Sequence, residues 1–243
     1  MSEQGNFMES AEKTLGNLSG GHVLDVATGN GGFITFLMDN LKDYVEITGI
    51  DHNEHTLEAA QKSHSLENIH FKRMDAARMD FPDSHFDTVC IANSLHHMIY
   101  LPGVLSEMGR VCKPGGHILV NEMYRDGQSE TQLTHVYLHH WWAAVDTAEG
   151  ITHHETFTRQ QVVEIIEQLG WHQLKYYDMK DLESHPRDPE LIRELDGIID
   201  RYVRRAEVLE EGETLRLQGE ELRTRVHEVG FHGAKSLLVI GEK

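Results

Sequence analysis

The sequence predicts an α/β chain built on a parallel, doubly wound sheet. Three observations carry that prediction. Short apolar runs alternate with helical spacing through the first half of the chain. Phe86 to Ala92 is a nearly continuous apolar run, suited to a strand buried on both faces. A glycine-rich loop, Ala27 to Gly32, separates the first apolar run from the first helical face. Element by element, the first strand is read over His22 to Val26, and the helix after the loop presents Phe33, Phe36, Leu37 and Leu41. Val45 to Ile50 is a second strand ending at Asp51, Thr56 to Lys62 a helix, and Ile69 to Met74 a third strand ending at Asp75. Leu101 to Val111 is helical, and Lys113-Pro114-Gly115-Gly116 then turns into a strand over His117 to Val120.

After Asn121 the rhythm changes. Glu130 to Val145 is a long helical stretch rich in aromatic residues and histidine, followed by a polar loop through His153 and His154. This segment, about 124–158, is expected to form a cap over the sheet. Thr158 to Leu169 reads as an amphipathic helix capped at Thr156 or Thr158 and stopped by Gly170. Trp171 to Tyr177 and Ser236 to Ile240 are two last strands, seven in all. Between them Pro189 to Val229 has helical spacing and dense charge, which reads as an inserted helical segment over about 186–230 with a solvated acidic face at Glu207 to Glu221. The expectation is a single domain over residues 1–243 without internal repeats.

Composition narrows the partners. The 243 residues include 40 acidic and 22 basic ones, a formal net charge of −18, with 39% hydrophobic residues. Such a surface repels phosphate backbones and anionic lipid, so neither nucleic acid nor membrane is expected as a partner. No apolar run approaches the roughly 20 residues that cross a bilayer. Met1 to Gly16 is polar and acidic, unlike an export signal, and the expected address is cytoplasmic. Two cysteines, Cys90 and Cys112, supply neither a disulfide framework nor a thiolate zinc site.

The glycine loop lets backbone approach a ligand closely, and the helix after it presents N–H groups. Read as Ala27-x-Gly29-x-x-Gly32 with Asp51 about 20 residues on, it passes for a degenerate dinucleotide fingerprint, which keeps an NAD-dependent oxidoreductase as an alternative. Asp25, just before the loop, argues against that alternative. A carboxylate there repels a pyrophosphate and attracts the ammonium end of an amino-acid-like ligand.

On these residues the chain resembles the class I S-adenosylmethionine-dependent methyltransferases. Val23-Leu24-Asp25-Val26-Ala27-Thr28-Gly29-Asn30-Gly31 is similar to their first motif, with Ala27 in place of the usual first glycine. The match continues in order through Gly49-Ile50-Asp51, Met74-Asp75-Ala76, Phe81 to Val89, Leu105 to Val111 and Lys113-Pro114-Gly115-Gly116. It covers about the first half of the chain and is strongest to the small-molecule enzymes grouped with ubiquinone and menaquinone biosynthesis. The resemblance implies a Rossmann-like, mainly parallel sheet and S-adenosyl-L-methionine as cofactor. Asp25, Ala27, Gly29 and Gly31 then lie at the methionine end, Asp51 takes both ribose hydroxyls, and Asp75 with Ala76 meets the adenine, against which His52 or Met74 packs. Asn93 points toward the methyl donor. A binding module that keeps this pocket without catalysing transfer is the non-enzymatic alternative.

Methyl transfer to a small organic acceptor needs alignment, exclusion of water and, for some acceptors, a base. Among 18 histidines the acceptor-side candidates are His97, His135 and His139, the last two at i and i+4 on one helical face with Trp142 a turn further. That pair also has metal-ligand spacing, which His97, His153 or His154 with Glu155 could complete. A partly exposed pair making local hydrogen bonds is the plainer reading, and no metal ligand is assigned. The inserted segment has two readings, a cover for the pocket or a contact in a homodimer.

Overall fold

The computed structural model describes residues 11–180, 182, 184–210 and 212–243. The expectation for Met1 to Gly16 therefore falls largely outside the described residues, as does Glu211 of the acidic stretch. The chain packs as two compact units.

The first unit comprises the described part of Met1–Glu122, with Val163–Met179 and Leu237–Lys243. Its strands are β1 (His22–Val26), β2 (Glu46–Asp51), β3 (Ile69–Arg73), β4 (Phe86–Ala92), β5 (Cys112–Met123), β6 (His172–Met179) and β7 (Ser236–Glu242). They form one seven-stranded sheet in the order β3-β2-β1-β4-β5-β7-β6. β1 pairs in parallel with both β2 and β4, and the β2–β3 and β4–β5 pairs are parallel too. Helices α1 (Gly32–Asn40), α2 (Glu54–Ser63) and α3 (Leu101–Val111) connect these strands, and a short 3₁₀ turn, Leu95–His97, follows β4. The seven strands and their alternation with helices agree with the sequence reading. Strand order reverses between β1 and β4, the place where open α/β sheets bind ligands at the carboxyl ends of their strands.

The apolar strand runs have the burial that their composition demands. Val23, Ile34, Leu37, Ile47, Cys90 and Leu119 are fully buried in one cluster, and each large side chain there stabilises the fold by about 1.5–3 kcal/mol. Asn53 caps α2 by accepting the His55 N–H at 3.0 Å. One strand starts earlier than expected. Cys112 pairs with Phe86 and His117 with Thr88, so the register shifts and Lys113 to Gly116 bulge from β5. The Asp87 carboxylate organises this bulge, accepting from Lys113 Nζ at 2.6 Å and from the His22 N–H at 2.9 Å. Burial acts to raise the Asp87 pKa, yet those two donors hold it below the usual carboxylate range. The Asp87 and Lys113 motif positions thus tie together the starts of β1 and β4.

The second unit comprises Met123–Val162 and Lys180–Ser236. Its helices are α4 (Glu130–Ala148), α6 (Pro189–Ala206) and α7 (Gly212–Glu228), while α5 (Arg159–Glu167) runs from this unit into the first. Ser129 and Gln132 form a capping box that starts α4, and Asp188 caps α6 ahead of Pro189. Thr158 and Gln161 exchange hydrogen bonds at the start of α5, which selects Thr158 over Thr156 as its cap. Leu138, Trp141, Val145, Leu195, Ile199 and Leu215 belong to a core of this unit. Trp141 donates to the Leu215 carbonyl at 2.8 Å. Its ring lies so close to α7 that a Cβ on Gly219 would sit 2.4 Å from it. The segments 124–158 and 186–230, read from sequence as two separate additions, therefore share one core. Among the described residues no helix is long and apolar enough to cross a membrane.

Candidate functional site

The carboxyl ends of β1 and β2 meet through one side chain. Asp51 closes β2, and its two oxygens accept the Gly29 N–H and the Asn53 N–H, each at 2.9 Å. It thereby holds the glycine loop against β2 and starts the turn into α2. A carboxylate offers about four lone-pair positions, so acceptor capacity remains for a vicinal diol. Gly49 precedes it in β2 because a Cβ there would lie 2.9 Å from Thr28 and 3.0 Å from Phe71.

Within the loop the glycines divide by role. Gly29 has φ +54°, and an added Cβ would meet no atom within 4 Å. Its missing side chain leaves open space that a ligand can enter. Gly31, at φ +85°, packs instead against His64, whose ring would lie 2.7 Å from a Cβ and whose Nε2 is 3.0 Å from the Gly31 carbonyl. Gly31 also caps α1 without any side-chain acceptor, so the first N–H groups of that helix face the loop uncapped.

Ala27 has φ +55°, the left-handed region that costs an L-residue roughly 1–2 kcal/mol relative to glycine. Ala27→Gly is expected to raise stability by up to about 1 kcal/mol, part of the relief being offset by glycine's larger unfolded-state entropy. Urea denaturation midpoints of the two proteins check this, and a lower midpoint for the variant would contradict the strain.

Asp25 departs from its expected role as a standing negative charge. Its side chain is buried, accepts the Thr28 hydroxyl at 2.5 Å and lies 3.5 Å from the Cys90 thiol. Burial pushes its pKa up to about 7, against the lowering effect of the Thr28 and Cys90 hydrogen bonds and with a smaller upward push from Asp51. Cys90, buried beside this carboxyl, has its thiol pKa raised well above the usual value by burial and by Asp25.

The remaining strand-end residues are exposed or half-buried. Asp75, just past β3, is exposed and accepts the Ala77 N–H at 2.9 Å, with Ala76 half-buried beside it. His52 is exposed, its Nδ1 3.4 Å from Asp51. Asn93 follows β4 with φ +45° and donates its N–H to the Asn121 carbonyl at 2.7 Å.

After Asn93, a residue absent from the sequence reading controls the backbone. Glu122 in β5 is fully buried, and its Oε2 accepts the Ser94 N–H at 3.1 Å and the Leu95 N–H at 3.0 Å. Its Oε1 is hydrogen-bonded to His96 Nδ1, so His96 is the oriented histidine of the His96-His97 pair, and His97 is the exposed one. The available signal was the one acidic residue of β5, just after the apolar run Ile118 to Val120.

The second unit holds His135 and His139, at i and i+4, on one face of α4 with ring centroids 6.2 Å apart, and each faces Trp142 a turn further along. His135 Nδ1 accepts the Ala234 N–H at 2.9 Å, and burial drops its pKa to about 4. His139 is buried against His153, ring centroids 4.7 Å apart, and His153 Nδ1 pairs with Asp146 at 2.7 Å. Asp146 also escaped the sequence reading.

A seven-stranded, mostly parallel sheet with a switch point and flanking helices defines a Rossmann-like α/β fold. The chain belongs to the methyltransferase domain family, whose family model matches residues 17–179. Among its relatives, the phthiotriol/phenolphthiotriol dimycocerosates methyltransferase of Mycobacterium leprae (strain TN) is 36% identical over 102 residues, 42% of this chain and 37% of that protein. The demethylmenaquinone methyltransferase of Staphylococcus aureus (strain JH9) is 36% identical over 111 residues, 45% of this chain and 46% of that protein. The matched region spans less than half the length of these curated relatives. In fold, the chain is similar to Haemonchus contortus phosphoethanolamine N-methyltransferase 2 in complex with S-adenosyl-L-methionine, with a TM-score of 0.57 and 18% identity over 98% of this chain and 52% of that one.

Proposed function

We propose that the chain transfers a methyl group from S-adenosyl-L-methionine to a small organic acceptor. The observation that carries this reading is the cradle around Asp51, an anchored carboxylate with spare acceptor capacity beside a glycine whose Cβ position is open. Those features fit an adenosyl ligand. The bound donor supplies a methyl group already activated on a positively charged sulfur, so the chain's own contribution is mainly positioning.

Asp51 holds the ribose hydroxyls, Asp75 and the Ala76 N–H meet the adenine edge, and His52 lies along the ring. Gly29 and the uncapped start of α1 receive the methionine carboxylate, while Asp25 receives the ammonium. Asn93 borders the methyl-transfer position, with His97 beside it on the turn oriented by Glu122. The acidic surface favours a neutral or cationic small acceptor over a nucleic acid, and a reducing, cytoplasmic setting fits two buried free thiols.

Isothermal titration with S-adenosylhomocysteine and with NAD tests the reading, and its pH dependence tests Asp25. An acid with a pKa near 7 in the empty site must lose its proton to face an ammonium. Affinity for S-adenosylhomocysteine is therefore expected to be about tenfold weaker at pH 6 than at pH 8, with proton release on binding, and Asp25→Asn should flatten the slope. Tight binding of NAD without S-adenosylhomocysteine would overturn the function, and equal affinity at both pH values would overturn the role of Asp25.

A further inference from the structure

We propose that the second unit binds a divalent transition-metal ion of the zinc, copper or nickel class through His139 and His153, with Asp146 as the group that orients His153. Three observations within that unit converge. The two imidazoles are buried, at 8% and 6% exposure, and meet edge to face. Each directs a ligand nitrogen to within 4.8 Å of the other's. Two nitrogens bound about 2.1 Å from one tetrahedral ion stand about 3.4 Å apart, so side-chain rotations that draw the pair together by up to roughly 1.4 Å close it on a metal.

The third observation sets the tautomer. His153 Nδ1 and Asp146 Oδ2 are 2.7 Å apart. Donation of the Nδ1 proton to that carboxylate places the ring lone pair on Nε2, the ligating form, in the carboxylate–histidine arrangement that commonly backs protein metal sites. Asp146 is itself held in place, its other oxygen accepting from Arg205 Nη2.

The fold also builds the pair deliberately. Asp146 lies two turns beyond His139 on α4. The chain then doubles back, with the Ile151 N–H on the Asp146 carbonyl at 2.9 Å and the Thr147 hydroxyl on the His153 carbonyl at 3.1 Å. That return brings His153 beside His139. Imidazole ligands suit the proposed ions better than calcium or magnesium, which take oxygen.

The test is metal content of the whole chain after EDTA treatment, dialysis against zinc and removal of unbound ion, with a cobalt titration followed by visible absorption. About one zinc retained per chain is expected. His139→Gln and His153→Gln should each weaken binding at least about tenfold, and Asp146→Asn about 10–100-fold. Circular dichroism and unchanged affinity for S-adenosylhomocysteine identify variants that remain folded. With 18 histidines in the chain, surface rings take up some zinc. Zinc held equally by the wild type and both glutamine variants, or no retention by the wild type, overturns the site.

Discussion

Asp51→Ala is expected to lose affinity for S-adenosylhomocysteine by about 100-fold or more. The proposed contacts to the ribose are hydrogen bonds to an ionised acceptor, each contributing about 1.5–3 kcal/mol, and both vanish with the carboxylate. A second effect adds to the first. The Gly29 and Asn53 N–H groups that Asp51 now accepts at 2.9 Å would have to turn to water, so the loop loses its fixed position. Asp51→Asn should fall between wild type and alanine. Its amide keeps one oxygen but sets an NH₂ group against one of two converging N–H donors. Calorimetric titration of variants whose circular dichroism matches the wild type provides the measurement. An Asp51→Ala protein that binds S-adenosylhomocysteine as tightly as the wild type would remove the proposed ribose contact and with it the placement of the donor.

The fold was legible because its signals are local. Apolar runs such as Phe86 to Ala92, alternating with helical segments, suit the doubly covered strands of a parallel sheet, and Phe86 and Val89 to Ile91 are indeed buried there. The strand ends were legible for the same reason, since Asp51 and Asp75 each stand where an apolar run stops. What a sequence cannot display is the direction a side chain takes. Asp25 reads as an exposed charge before a loop, yet Thr28 and Cys90 draw it into the interior and burial lifts its pKa to about 7. Asp87 sits in a family motif and serves the opposite ends of the strands, joined to Lys113 and His22. The histidines on α4 show the limit most clearly. Helical spacing correctly puts His135 and His139 on one face, but only the folded chain shows that His135 accepts a backbone N–H while His139 meets His153. His153 lies 14 positions further along the chain, too far for any helical period to announce.

Glu122 marks a long-range pairing that spacing does not encode, and its removal should produce the largest loss of stability. Its carboxylate is fully buried and accepts from the Ser94 and Leu95 N–H groups and from His96. Glu122→Leu preserves apolar volume but strands two backbone donors and a buried imidazole at once. Leaving buried polar groups of this kind unpaired costs about 3–5 kcal/mol, far more than loss of a surface ion pair. For a chain of this size that corresponds to a fall in melting temperature of roughly 10 °C. Glu122→Gln separates the charge from the hydrogen bonds. Its amide oxygen can still accept from Ser94 and Leu95, and its NH₂ can donate to His96 Nδ1 once the imidazole proton moves to Nε2, so a loss of only about 1 kcal/mol is expected. Thermal unfolding of the three proteins measures the difference. If leucine and glutamine are tolerated equally, the turn after β4 does not depend on β5, and Asn93 and His97 must owe their placement to something other than this carboxylate.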